Sequence, residues 1–411
     1  MTPKRPGIIK IPSVLSALRS PNYRLWFIGQ STSLIGTWMQ SVAQQWVVYE
    51  MTGSKFMLGA MAFASSFPTV LLMLPSGVLA DRFPRRNILL FTQMVMMLLA
   101  FILAGLIASG GLAVWHLFGL AVLLGVTNAL DAPARQAFAV EMVDDRSDLY
   151  NAIALNATIF NLARFIGPAL AGFILAVWGP AWCFALNGIS FLAVLAGLLL
   201  MRLHPHVKPT TGEAWGEVLE GLRFSFRHPV ILPLMLVTGS ATCFAFSYAS
   251  QLPAFAVEVL FIGEEGLGML MAAIGLGALI GSLVVAAFSR TRRQGGLFRL
   301  GSVLFPGFVI LFALSRSYPL SLGLLAVVGF GLVVQNASIN TMIQTHINDE
   351  MRGRVMSIYL LVFFSAVTFG ALLAGFVAQM LGASTGVALS AVVGLLCLIG
   401  IYTAFPRIRQ I

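Results

Sequence analysis

Long apolar runs, each closed by a short polar or charged stretch, recur from one end of the chain to the other. They lie near Leu25–Val48, Phe56–Ala80, Ile88–Ala108, Leu112–Leu130, Ala152–Trp178 and Trp182–Met201. A second series follows near Val230–Val257, Leu267–Phe288, Leu297–Leu314, Leu320–Ile343, Val355–Leu381 and Gly386–Phe405. Each holds about 18 to 28 residues, enough for a helix to cross roughly 30 Å of hydrocarbon. The pattern predicts an all-α integral membrane protein with twelve spans.

The polar residues inside these runs carry the functional information. The first span has Gln30, Ser33, Thr37, Gln40, Ser41 and Gln44 at helical spacing, one polar stripe on an otherwise lipid-soluble helix. Such a stripe must face protein or water. Hydrogen bonding between helices is one use for it, but so many amides on one face favour a water-filled cavity. The seventh span adds Thr238, Ser247, Tyr248 and Gln251, and the fourth and tenth add Asn128, Asn336 and Asn340. With Trp38, Phe246 and Tyr248 as aromatic walls, the predicted cavity suits an amphiphilic ligand.

The fifth span reads Asn151, Asn156, Asn161, Arg164 and then Gly167-Pro168-Ala169-Leu170-Ala171-Gly172. Arg164 is the one arginine well inside a span. A charge there is costly unless solvated or paired. Pro168 has no N–H for the carbonyl of Arg164, so a bend is expected where the charge lies. Two readings stay open at this level. Arg164 faces the cavity and holds an anionic ligand or partner carboxylate, or it is structural and satisfies helix carbonyls.

Composition agrees with a membrane solvent: of 411 residues, 58% are hydrophobic and 10% charged, against about 25% charged in soluble chains. The net charge of +10 is explained by its placement. With the amino terminus inside, only Lys55 and Arg316 fall on the outer side, and every other Lys and Arg except Arg164 falls on the inner one. That is the positive-inside pattern, which places both termini in the cytoplasm and leaves no reason to infer nucleic-acid binding. No signal peptide is expected. Cys183, Cys243 and Cys397 lack metal-like spacing and read as structural thiols. No H-E-x-x-H, G-x-S-x-G or G-x4-G-K-[ST] sequence occurs, which argues against an enzyme or a nucleotide-driven pump.

A faint internal repeat is present. Asn128-Ala129 and Gln136 recur as Asn336-Ala337 and Gln344, Glu50 recurs as Glu258, and Leu58-Gly59 as Leu267-Gly268. Gly167 to Gly172 recurs as Gly370 to Gly375. This predicts a duplicated six-helix unit, residues 1–203 and 229–411, joined by a linker at 204–228. In the linker, Thr210 and Glu213 can form a capping box. Trp215, Val218, Leu219, Leu222 and Phe226 then share one face of a short amphipathic helix, with Arg223 and Arg227 near lipid phosphates. A plain tether is the other reading of this stretch.

The loop Gly77-Val78-Leu79-Ala80-Asp81-Arg82-Phe83-Pro84-Arg85-Arg86 resembles the G-x-L-A-D-R-x-G-R-[KR] loop of the major facilitator superfamily, departing from it at Pro84. The fifth span resembles the antiporter motif of drug exporters at Ala154, Ala163, Gly167, Pro168, Ala171 and Gly172, with alanine at three glycine positions. Ala129-Leu130-Asp131-Ala132-Pro133-Ala134-Arg135-Gln136, followed by Asn151, Asn156, Asn161, Arg164 and Gly167-Pro168, looks like the enterobactin-exporter branch.

The resemblance implies the major facilitator fold, two pseudo-symmetric six-helix bundles in a bacterial inner membrane. It implies a monomeric secondary transporter that exports a small amphiphilic compound, siderophore-like or drug-like, by alternating access, coupled to protons and without a bound cofactor or metal. Uptake or lipid flipping by the same fold is the alternative. The implied substrate cavity takes Gln30, Thr37, Gln40, Gln44, Asn128, Asn161, Arg164, Tyr248, Gln251, Asn336 and Asn340. The implied cytoplasmic latch takes Gly77, Asp81, Arg82, Arg85, Arg86 and Asp131, with Asp81 facing the start of the eleventh span and Arg85 reaching Asp131. Simple anchoring of those arginines to lipid headgroups competes with the latch. One departure matters for coupling. The fourth-span arginine of many proton-coupled members is missing, the stretch being Ala121-Val122-Leu123-Leu124-Gly125. Asp131 sits at the inner end of its span, Glu50 and Glu258 at outer ends, and no carboxylate falls at mid-membrane.

Overall fold

The structure, a computed structural model, describes residues 13–139, 141–143, 145, 148–202, 214–288 and 294–409. Each apolar run becomes a helix. In order these are α1 (Pro21–Thr52), α2 (Lys55–Arg82), α3 (Arg85–Ala108), α4 (Val114–Phe138), α5 (Leu149–Trp178) and α6 (Pro180–Leu200). After α7 (Ala214–Arg227) come α8 (Ile231–Val259), α9 (Gly263–Phe288), α10 (Gln294–Leu314), α11 (Tyr318–Thr345), α12 (Asp349–Leu381) and α13 (Ala383–Ala404). Among the described residues, eleven helices are long and apolar enough to cross a membrane. The twelfth expected span, α1, has ample length at 32 residues. It falls short on hydropathy because its amide stripe displaces apolar side chains.

Helices α1 to α6 form one bundle, in which α1 lies on α5 and α6, α2 on α4, and α3 on α4 and α6. Helices α8 to α13 form the other, where α11 lies on α9 and α10, and α13 on α10 and α12. The bundles meet along two seams, α2 with α12 and α5 with α9. In the first, a Cβ added to Gly59 would lie 3.0 Å from the Cα of Gly375. In the second, a Cβ added to Gly268 would lie 2.6 Å from the Cα of Gly172. The sequence repeat aligns Gly59 with Gly268 and Gly172 with Gly375, so these are one contact made twice across a pseudo-twofold axis. Only glycine lets two helix backbones come this close.

Short turns connect the spans. Gly53 (φ +58°) closes α1 in the left-handed region, its N–H donating to the carbonyl of Tyr49. Helix α5 runs through Pro168 as one element. The irregular span is α8, whose middle winds loosely at Ala241–Ala245, tightly at Phe246–Gln251 and loosely again at Phe255–Val259. Pro253 removes one backbone donor, and the hydroxyls of Ser247 and Ser250 donate to the carbonyls of Phe244 and Ser247, both at 2.9 Å. Backbone of this kind persists at membrane depth only when protein or a water-filled space covers it.

Helix α7 docks on α12, where Arg354 donates to Glu220 at 2.5 Å and Gly221 sits against the Arg354 backbone. Leu219 and Phe226 of α7 are exposed, the expected greasy face of an interfacial helix. Thr210 and Glu213, the expected cap, lie outside the described residues.

Candidate functional site

A cavity of about 420 Å³ lies between the bundles. Helix α1 lines it with Trp38, Ser41, Gln44 and Gln45, α2 with Met61, Ser65 and Ser66, and α5 with Arg164 and Pro168. The irregular part of α8 supplies Phe246 to Ser250 and Leu252, α9 supplies Met271 and Ile274, and α12 supplies Val367 and Ala371. Of the residues expected in a cavity, Trp38, Ser41, Gln44, Arg164, Phe246, Ser247 and Tyr248 meet here.

Arg164 is the charge of the site. Its guanidinium carbon lies 5.6 Å from the ring centre of Trp38, within cation–π range. Among the described residues it has no hydrogen-bonded carboxylate or carbonyl. The hydroxyl of Tyr248, 1% exposed, and the Oε1 of Gln45 also lack a partner. Buried polar atoms usually have one, so the Tyr248 hydroxyl and Gln45 Oε1, lining one cavity with Arg164, mark a place for a polar guest. Behind Arg164 the scaffold is tight. A Cβ added to Gly275 of α9 would come within 2.7 Å of the Arg164 carbonyl carbon.

The other expected cavity residues divide by position. Gln40 is a glue residue, its Oε1 accepting from Nδ2 of Asn187 at 2.6 Å. Gln251 is buried, its Nε2 donating to the Lys55 carbonyl at 3.4 Å. Asn161 donates to the Ala157 carbonyl, Thr37 to that of Ser33, and Asn340 accepts from Gln344 at 2.5 Å. These three, with the half-buried Asn128 and Asn336, are outside the wall of this cavity. Gln30 lines a second one, of about 460 Å³, toward the end of the molecule where Arg82, Arg85, Arg86 and Arg135 gather.

The two ends differ. At the end away from that basic face, Glu258 of α8 accepts from the Tyr49 hydroxyl of α1 and pairs with Lys55 of α2 at 2.6 Å. Gln379 of α12 accepts through Oε1 from the Lys55 amide at 2.9 Å. These bonds tie the bundles together. Toward the basic face, Ile153 and Phe160 on α5 and Ile280 and Leu283 on α9 are exposed. The space between the bundles is closed at the far face by these bonds.

The latch residues sit at the basic face in a different arrangement from the one expected. Arg85 donates to Glu141 at 2.7 Å and to the Ala137 carbonyl at 3.5 Å. Asp131, fully buried, takes Arg135 one helical turn away, together with the Thr92 hydroxyl at 2.7 Å and Gln93 Nε2 at 2.9 Å. Glu141 lies just past α4, within reach of the start of α3, while Arg135 occupies Asp131 from its own helix. Arg86 donates to the Leu199 carbonyl at 2.9 Å, Arg82 is exposed, and Gly77 has open space beside it. The side chain of Asp81 lies outside the described residues. At this same face burial and the neighbouring His346 hold the His228 imidazole below its ordinary value, and its Nδ1 accepts from the first amides of α8.

Asp131→Ala should lower the thermal unfolding midpoint in detergent, because Arg135 would lose its buried partner. Breaking a buried pair costs about 3–5 kcal/mol, and the lower end applies since Arg135 is partly exposed. An unchanged midpoint would mean that the cluster contributes nothing to stability.

Comparison with known proteins agrees with this architecture. A family model described as transmembrane secretion effector matches residues 12–410. The enterobactin exporter of Shigella boydii serotype 18 is 29% identical over 379 residues, covering 89% of this chain and 88% of the relative. The staphyloferrin A transporter of Staphylococcus aureus is 24% identical over 362 residues, covering 87% and 90%. Among solved structures, a POT family transporter bound to 5-aminolevulinic acid superposes with a TM-score of 0.76 at 13% identity, over 94% of this chain and 96% of that one. A bacterial homologue of the lysosomal transporter Spinster gives 0.71 at 13% identity over 97% and 98%.

Proposed function

The chain belongs to the transmembrane secretion effector family of the major facilitator superfamily, and we propose that it exports a small anionic, aromatic compound of the siderophore kind in exchange for protons. The observation that carries this reading is Arg164, a cation without a carboxylate or carbonyl partner among the described residues, in a cavity walled by Trp38, Phe246 and Tyr248 between two bundles. An anion with an aromatic ring satisfies the guanidinium, the Tyr248 hydroxyl and the ring faces together. Relatives named as an enterobactin exporter and a staphyloferrin A transporter support export of a compound of that kind.

The basic face is the cytoplasmic one by the positive-inside rule, so with the far face bonded shut the Arg164 cavity loads from the cytoplasm. Rocking of the bundles would break the Glu258–Lys55–Tyr49 clamp and expose Arg164 to the other side. Proton uptake accompanies the return.

The test uses inside-out proteoliposomes, an imposed pH gradient and radiolabelled enterobactin. Accumulation should follow the gradient and collapse when it is dissipated. Accumulation only in right-side-out vesicles would make the chain an importer, and accumulation indifferent to the gradient would remove proton exchange.

A further inference from the structure

The second cavity is the most informative feature that the export reading leaves unused. It lies on the basic half of the first bundle, and among the described residues its walls come from α1, α4 and α5, through Trp26, Gln30, Arg135, Gln136, Asn156 and Phe160. Its volume of about 460 Å³ is within the size range of small-molecule sites. Gln30 is 5% exposed, and among the described residues nothing donates to its Oε1. A buried amide oxygen left this way is costly unless a guest donates to it. Arg135 is fixed by Asp131, which Thr92 and Gln93 hold in turn, and its Nε–H has no partner.

We propose that this cavity is a loading site, in series with the Arg164 cavity, for a planar aromatic group bearing hydroxyl and carbonyl functions, such as a catechol amide. The proposal rests on the export reading above. The ring lies between Trp26 and Phe160, its hydroxyl donates to Gln30 Oε1, and Arg135 or Gln136 donates to its carbonyl. Trp26 is braced edge-on by Phe138 at 5.8 Å, so that wall is rigid. Phe160 packs edge-on against Trp38, also at 5.8 Å, and Trp38 lies under Arg164 in the central cavity. The two cavities therefore share an aromatic wall. A guest leaving the first past Phe160 meets Trp38 and then the cation.

The two sites differ in how they depend on conformation. The central cavity needs both bundles, whereas this one belongs to a single bundle and moves with it as a rigid body. It can bind before the bundles rock, which separates recognition at the cytoplasmic mouth from commitment at the centre.

The experiment is equilibrium dialysis of the purified full chain in nanodiscs with radiolabelled 2,3-dihydroxybenzoylglycine. The parent should bind two equivalents per chain. Gln30→Leu and Phe160→Ala should each bind one, retained at Arg164, and Arg164→Gln should bind one, retained in the loading cavity. In transport, Gln30→Leu should raise KM about tenfold with kcat held, the effect of losing one buried hydrogen bond outside the central site. One equivalent in the parent, lost with Arg164→Gln, would overturn the loading site and leave the export reading standing. Two equivalents retained in both Gln30→Leu and Phe160→Ala would do the same. No binding to the parent would overturn the loading site and the export reading together.

Discussion

Arg164→Gln should abolish transport and leave the protein as stable as before, or more so. A guanidinium inside a span, without a carboxylate or carbonyl partner among the described residues, does not hold the fold together. Its desolvation works against folding. Gln keeps a polar group at the site but loses the charge and the contact with Trp38. A hydrogen bond to a charged group contributes about 1.5–3 kcal/mol, so losing a two-pronged contact to an anion should weaken binding at least 100-fold. Arg164→Lys keeps the charge without the planar fork and should fall between the two. The paired readout, transport lost with the unfolding midpoint held or raised, is what a binding arginine gives. If Arg164→Gln unfolded the chain, the residue would be structural. If it transported like the parent, the cavity would not be the substrate site.

Gly59→Leu should arrest the cycle with comparable severity. A side chain here enters the seam between α2 and α12, where the added Cβ alone lies 3.0 Å from the Cα of Gly375. Overpacking typically costs about 1–3 kcal/mol. Here the strain exists only while the far face is closed, so it moves the conformational equilibrium about 5- to 150-fold away from the state described. Each bundle keeps its own core, so the chain should still fold. Gly268→Leu acts at the equivalent seam of α5 and α9 and should give the same phenotype. Normal transport by both variants would mean that the far-face seams do not close during the cycle.

The twelve spans, the polar stripe of α1 and the isolation of Arg164 could all be read from the sequence, because each is local: run length, helical spacing, one charge among apolar residues. The repeat was legible too, although which copies touch was not. That Gly59 meets Gly375 and Gly172 meets Gly268 depends on how two bundles dock. The site residues show the same limit. Gln40 belongs to the polar stripe, yet Asn187 on α6 claims it, a contact that spacing along α1 could not show. Arg85 pairs with Glu141 because the chain beyond α4 returns toward α3, outside any spacing rule. The irregular turns of α8 had weak markers in Pro253, Ser247 and Ser250, but α5, with Pro168 inside it, is α-helical from Leu149 to Trp178. Tyr49 carries no signal in the sequence, and Lys55 shows only as an outer-side charge; both acquire a role where they converge on Glu258.

Alternating exposure of one cavity by two bundles is tested most directly by distances at the two faces. With Cys183, Cys243 and Cys397 replaced, spin labels are placed on exposed residues at Met51 and Met380 for the far face, and at Tyr150 and Leu283 for the basic face. Pulsed electron–electron resonance is then recorded with and without enterobactin and across a pH step. The far-face distance should lengthen as the basic-face distance shortens. Two distances that stay constant, or lengthen together, would contradict alternating access.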